Sequence, residues 1–108
     1  MMDPIVIGID LGGTNVRVGA ITPQGELLHA LEAPIEATRG PEWGVQRIIE
    51  LVDRVQAQSE NRPLLGIGIG STGPVDRERG AVQNPYTLPT WEDVDIVRPL
   101  SERYGVPA

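Results

Sequence analysis

The stretch Pro4-Ile5-Val6-Ile7-Gly8-Ile9-Asp10-Leu11-Gly12-Gly13-Thr14-Asn15 decides how the rest of this chain is read. Pro4 to Asp10 is short and almost wholly apolar, which predicts a central strand buried on both faces. Leu11 to Asn15 is a turn, and Val16 to Ile21 then resumes an apolar pattern. Two such runs joined by Gly-Gly predict a hairpin. Pro23-Gln24-Gly25 is a second turn signal, and Glu26 to Ala33 predicts a third strand, so the chain opens as an antiparallel meander.

Outward from the meander, residues 41 to 59 carry the clearest helical pattern. Val45, Ile48, Ile49, Val52 and Val55 repeat at helical spacing and predict one apolar stripe. Pro41 suits a first helical turn, Glu50 and Arg54 are placed to pair at i, i+4, and Asn61 with Pro63 predicts the stop. Leu64 to Gly70 (LLGIGIG) predicts a second buried strand. Because it returns after a helix, as a crossover connection does, it is expected parallel to the first. Gly73-Pro74 breaks it, and residues 75 to 91 read as an irregular loop or small hairpin. Asp95 is a candidate cap for a last helix reaching about Tyr104, with Ile96, Val97 and Leu100 inward. Gly105 and Pro107 end that helix.

The 108 residues suffice for one domain with one core. No apolar run approaches the roughly 18 residues of a membrane helix. No basic segment followed by a long apolar one marks a signal peptide. The absence of cysteine excludes disulfides and thiolate metal sites within the chain and is compatible with the cytoplasm. A net charge of -6 lacks the basic footprint of nucleic-acid binding. It does not exclude phosphate, which backbone amides and a divalent cation can hold without a basic patch.

Three stretches carry chemistry. In Asp10-Leu11-Gly12-Gly13-Thr14-Asn15 the two glycines let the backbone approach a ligand closely. Their amides and the Thr14 hydroxyl can form an anion nest. A carboxylate at Asp10 beside a polyphosphate requires a cation between them, usually Mg²⁺. The plain alternative is a Gly-Gly hairpin with a solvated aspartate. The second stretch, Gly66 to Asp76, contains Gly68, Gly70 and Gly73 in dinucleotide-fingerprint spacing, but Pro74 follows where that fingerprint must open a helix, so the Rossmann reading is rejected. The third, Asn84-Pro85-Tyr86-Thr87-Leu88-Pro89-Thr90-Trp91, is a stiff loop that either walls a small polar ligand or packs over the core with Trp91 as a peg. His29 is the only histidine and reads as a strand residue rather than a metal ligand.

In combination these motifs resemble the ROK family of bacterial glucokinases, fructokinases, N-acetylhexosamine kinases and sugar-responsive repressors. The resemblance rests on a first strand ending in Asp-x-Gly-Gly-Thr, a meander, a helix, a strand ending in Gly-x-Gly-x-x-Gly-Pro-Val-Asp, and the Pro-x-x-Leu-Pro-x-Trp segment. It covers the whole chain. It implies an α/β fold of the actin-like, ribonuclease H-like ATPase class: a mixed sheet of strand order 3-2-1-4, with strands 1–3 antiparallel and strand 4 parallel after a crossover helix.

The resemblance further implies that residues 1–108 form a single N-terminal ATPase lobe of an ATP-dependent sugar kinase, acting on glucose or a related hexose in the cytoplasm. Asp10 would orient Mg²⁺, and Gly12, Gly13 and Thr14 would cradle the β- and γ-phosphates of ATP. Gly73, Pro74 and Asp76 would lie near the sugar. Asn84 and Thr87 would either touch sugar hydroxyls or only hold their loop, and the family's usual Asn stands replaced by Thr87. The general-base aspartate, the second lobe and the family's zinc cluster are expected beyond Ala108, so this chain reads as a fragment without useful activity of its own. Its partners would be nucleotide and sugar, not nucleic acid or membrane, with self-association through an exposed sheet edge as a further expectation. The alternative within the resemblance is the sensor domain of a ROK-type repressor.

Overall fold

Strands β1 (Ile5–Leu11), β2 (Asn15–Ile21) and β3 (Leu27–Pro34) form the expected meander. Strand β4 (Leu64–Ser71) lies parallel to β1, giving the order β3-β2-β1-β4. The computed structural model describes residues 3–108. A parallel neighbour cannot be reached by a tight turn, and helix α1 (Pro41–Gln58) supplies the crossover.

One face of the sheet makes the core. Ile5, Ile7, Ile9 and Leu11 of β1 and Val16, Val18 and Ala20 of β2 join Ile48, Leu51, Val52 and Val55 of α1 in one buried cluster. The other face is open, which corrects the expectation that β1 is buried on both sides: Val6 and Gly8 are half-buried and Asp10 is exposed. Alternate glycine and valine positions make an apolar run whichever way they face, so hydropathy could not separate the two cases. Register lays three rows across this open face: Glu32–Arg17–Asp10–Gly70, then Ala30–Gly19–Gly8–Gly68, then Leu27–Ile21–Val6–Gly66. The charged row lies at the C-terminal end of β1.

The buried stripe of α1 runs through Gly44, Ile48, Leu51, Val52 and Val55, while Val45 and Ile49 are only partly covered. It is therefore turned towards Gly44, against which the indole of Trp91 lies. Glu50 pairs with Arg47 at 3.3 Å rather than with Arg54. Arg47 also reaches over the Trp43 ring, 5.9 Å from its centroid, which holds its guanidinium on that side of the helix. Ser59 closes the helix by donating to the Val55 carbonyl at 2.9 Å, and Glu60 and Asn61 turn the chain in left-handed conformations, φ 60° and 53°.

Beyond β4 the chain makes a second, smaller sheet from β5 (Val75–Asp76), β6 (Ala81–Val82) and β7 (Val94–Asp95). Helix α2 (Val97–Tyr104) follows, but Asp95 does not cap it: Asp95 sits in β7 opposite Ala81, and Ile96 holds the capping position. The cap is unnecessary because the Ile96 and Val97 amides both donate to the Gly80 carbonyl, at 3.0 and 3.2 Å. Gly105 ends α2 in the left-handed region, φ 66°, its amide donating to Ser101 at 2.9 Å. Tyr104 and Arg103 both reach Asp53 of α1 at 2.8 Å. The Ile67 amide then donates to Pro107 at 2.9 Å, so the last residues lie along the far edge of β4. Among the described residues no helix is long and apolar enough to cross a membrane.

Candidate active site

The sequence-nominated residues lie at the end of the sheet where β1 and β4 finish together. The Thr72 amide donates to the Leu11 carbonyl at 3.1 Å, which brings the Thr72-Gly73-Pro74 segment beside the Gly12-Gly13-Thr14 turn. The turn is closed by the Gly12 amide, which donates to Asn15 at 2.9 Å, while the Thr14 carbonyl accepts from Ile35 at 2.9 Å. The Gly12 amide is thus occupied, and the amides of Gly13 and Thr14, together with the exposed Thr14 hydroxyl, are the donors left for an anion. Neither glycine takes a positive φ. Gly13 is required for space: a Cβ there would stand 2.9 Å from the Thr87 carbonyl oxygen.

Asp10 is exposed on the open face, opposite Arg17 on one side and the bare backbone of Gly70 on the other. No ion pair within 4.0 Å engages it among the described residues. The same residues hold no group of three metal-ligating side chains. One free carboxylate fits Mg²⁺ well, since that ion keeps most of its waters and takes one or two carboxylates alongside phosphate oxygens. It does not fit a metal that needs a protein-only cage.

Gly73 has φ 73°, which favours glycine, and a Cβ there would overlap the Asn84 side chain. Asn84 is 1% exposed, so it does not present its side chain to a ligand. Its amide nitrogen donates to the Thr72 carbonyl at 2.9 Å and to the Thr87 hydroxyl, and its carbonyl accepts from the Thr87 amide at 3.3 Å. Of the two roles open to Asn84 from sequence, holding the loop is the one this geometry carries. Thr87 is exposed, its hydroxyl 3.4 Å from that of Thr72. Pro74 is exposed at the start of the hairpin, its carbonyl accepting from Gln83 at 2.9 Å. Asp76 lies further along and is committed locally: its carboxylate accepts from the Glu78 and Arg79 amides at 3.1 Å each and caps the β5–β6 turn.

Other contacts fix the Asn84–Trp91 loop. Trp91 and Leu88 are fully buried, and the Thr90 hydroxyl donates to Ala37 at 2.8 Å from a left-handed conformation, φ 79°. Trp91 is indeed a peg, and Tyr86 stands 84% exposed at the loop's tip. The sequence reading missed Gly44 as the seat of Trp91. An Ala-sized gap in an apolar stripe, paired with a lone downstream tryptophan, was the available signal.

The ROK family model matches residues 6–108. The glucokinase of Thermotoga maritima is 35% identical over 100 residues, covering 93% of this chain and 31% of its own length. The xylose repressor of Bacillus subtilis is 28% identical over 104 residues, covering 94% and 26% respectively. Among solved structures, a ROK glucokinase from Streptomyces griseus, in complex with glucose and AMPPNP, superposes with a TM-score of 0.80 at 25% identity, covering 95% of this chain and 31% of that one. The chain therefore spans about a third of the length of the relatives it matches.

Proposed function

Because this chain belongs to the ROK family, we propose that it is the N-terminal, phosphate- and Mg²⁺-binding lobe of an ATP-dependent sugar kinase, with glucose or a related hexose as acceptor. Its fold is the actin-like ATPase fold of the ROK sugar kinases. The observation that carries the reading is the meeting of two loops at one end of the sheet. The Gly13-Thr14 turn offers amides without a backbone partner among the described residues and follows Asp10 along the chain; Thr87 stands against Gly13, and the Thr72 amide ties the start of the Gly73-Pro74 segment to Leu11. Phosphoryl transfer needs mainly this: a positioned donor, neutralised charge and an acceptor held in line.

In this reading Gly13 and Thr14 hold the transferring phosphates and Asp10 faces the cation. Mg²⁺, when bound, neutralises charge on the phosphate oxygens. Thr87 and the backbone at Gly73 and Pro74 face the sugar, while Asp76 and Asn84 support the backbone rather than the ligand. The general base and the adenine and sugar contacts of the second lobe are assigned to residues outside this chain, so the chain alone is expected to transfer no phosphoryl group; loss of a general base by itself costs about 10²- to 10⁴-fold. ATP as donor puts the reaction in the cytoplasm.

The test is a titration of MgADP and MgATP followed by amide shifts. Shifts centred on Gly13 and Thr14, and their loss in Asp10→Ala, are expected. Unchanged spectra at millimolar nucleotide would remove the nucleotide role from this turn. The similarity to a xylose repressor favours one second reading, in which the same lobe senses sugar for a transcriptional repressor. Sugar-dependent shifts at Thr87 and Gly73, without any from nucleotide, would select it.

A further inference from the structure

Asn84 is a polar side chain buried to 1% exposure in a loop, and it uses both ends of its amide. Its carbonyl oxygen accepts from the Thr87 amide, which fixes the nitrogen on the other side, where it donates to the Thr72 carbonyl and the Thr87 hydroxyl. Its backbone is held as well, donating to Trp91 at 3.0 Å and accepting from Leu88 at 3.1 Å. The amide therefore has no alternative orientation that keeps its bonds. On one side it fills the place where Gly73 would carry a Cβ. On the other it holds Thr87, whose carbonyl oxygen lies 2.9 Å from the Cβ position of Gly13.

A continuous line of contacts thus runs Gly73–Asn84–Thr87–Gly13. It joins the two loops that the proposed function gives to acceptor and donor. We propose that Asn84 is a positioning residue, whose side-chain amide sets the spacing between the phosphate turn and the acceptor loop. The role rests on the kinase reading for its purpose, but the mechanical coupling does not. Because Thr87 accepts from Asn84, its own hydroxyl proton is left to be donated outward, towards Thr72 or a ligand oxygen.

The experiment follows the Gly13 α-proton and the Thr14 amide by NMR in the nucleotide-free chain. Asn84→Asp keeps size and the acceptor but removes the donor. Thr87→Val removes the hydroxyl from an exposed position and leaves the backbone bonds in place. Both are expected to displace the Gly13 and Thr14 signals while those of Ile7 and Val18 in the sheet stay fixed, and Thr87→Ser is expected to restore them. In the same variants MgADP affinity is expected to fall roughly 10- to 100-fold, by analogy with the loss seen when hydrogen bonds that orient metal ligands are removed.

Changes confined to residues 72–74 and 84–91, with Gly13 unmoved, would overturn the proposal. If Asn84→Asp does not fold, the Val and Ser variants at Thr87 decide it alone. Coupling without any MgADP binding would defeat only the kinase reading, whereas MgADP binding without coupling would defeat only this one.

Discussion

Glycine inside a helix costs about 1 kcal/mol relative to alanine, yet Gly44 stands at the end of the first turn of α1 because the Trp91 ring occupies the place of its Cβ. Gly44→Ala should therefore destabilise the chain by about 1–3 kcal/mol despite its better helix propensity, since overpacking of a filled core outweighs the gain. Urea unfolding followed by tryptophan fluorescence measures this, and a more stable variant would show that the Trp91 seat can yield. Gly13 stands by the same logic of space, with a backbone carbonyl rather than a ring as its neighbour. Gly73 adds a conformational demand, its φ of 73°. A sequence shows each of these as the same letter, and only the neighbours distinguish them.

Between elements, the α1–α2 contact depends on Asp53. It accepts from the Tyr104 hydroxyl and pairs with Arg103. Burial, and next the hydrogen bond to Asp53, raises the Tyr104 pKa above the ordinary tyrosine value. The sign follows: the protonated phenol is favoured in the folded state, so its stabilisation is full below the unfolded pKa of about 10 and is lost as pH climbs from there towards the folded value. Tyr104→Phe should cost about 1 kcal/mol near pH 8, and the gap to the parent chain should close above pH 10. Unfolding curves at pH 8 and pH 11 test it, and an equal gap at both would mean that the ring, not the hydroxyl, holds the helices.

The sheet order, the crossover helix and the glycine turn were legible because each follows from local pattern: apolar runs bounded by turn residues, a helical stripe, paired glycines. The phase of the α1 stripe was not, because it answers to Trp91, far along the chain. The expected Asp95 cap failed for a similar reason, since the Gly80 carbonyl already satisfies the first amides of α2. At the site, Asp10, Gly13 and Thr14 could be nominated from sequence. That Gly12 spends its amide on the turn, and that Asn84 faces inward, depends on partners the hairpin brings round.

At the scale of the whole molecule, the sheet is closed by α1 on one face, and β4 is an edge strand that the last residues cover only around Ile67. Ile67 directs its amide outward to Pro107, and alternate residues of a parallel strand direct theirs to the same side, so the amides of Ile69 and Ser71 point the same way and meet no backbone acceptor among the described residues. Exposed edges of this kind pair with other chains. Concentration-dependent association of this chain is expected in sedimentation velocity. Ser71→Pro, which removes an outward amide without touching the β1 ladder, is expected to reduce it. A chain that stays monomeric at high concentration would show that the edge is protected.

The pairing of β1 with β4 also implies an expected order in time. The meander of β1, β2 and β3 needs only short loops to close, whereas Leu64 must find Ile5 across the whole of α1, and closing a longer loop loses more chain entropy before any contact compensates. Trp91 is expected later still, because its seat lies between Gly44 of α1 and Ile35 beyond β3 and so needs helix and sheet already together. On that expectation the indole is a clock hand for the last step: a stopped-flow fluorescence phase that follows formation of the sheet would date the moment the Asn84–Trp91 loop locks down, and with it the moment the two halves of the site first stand face to face.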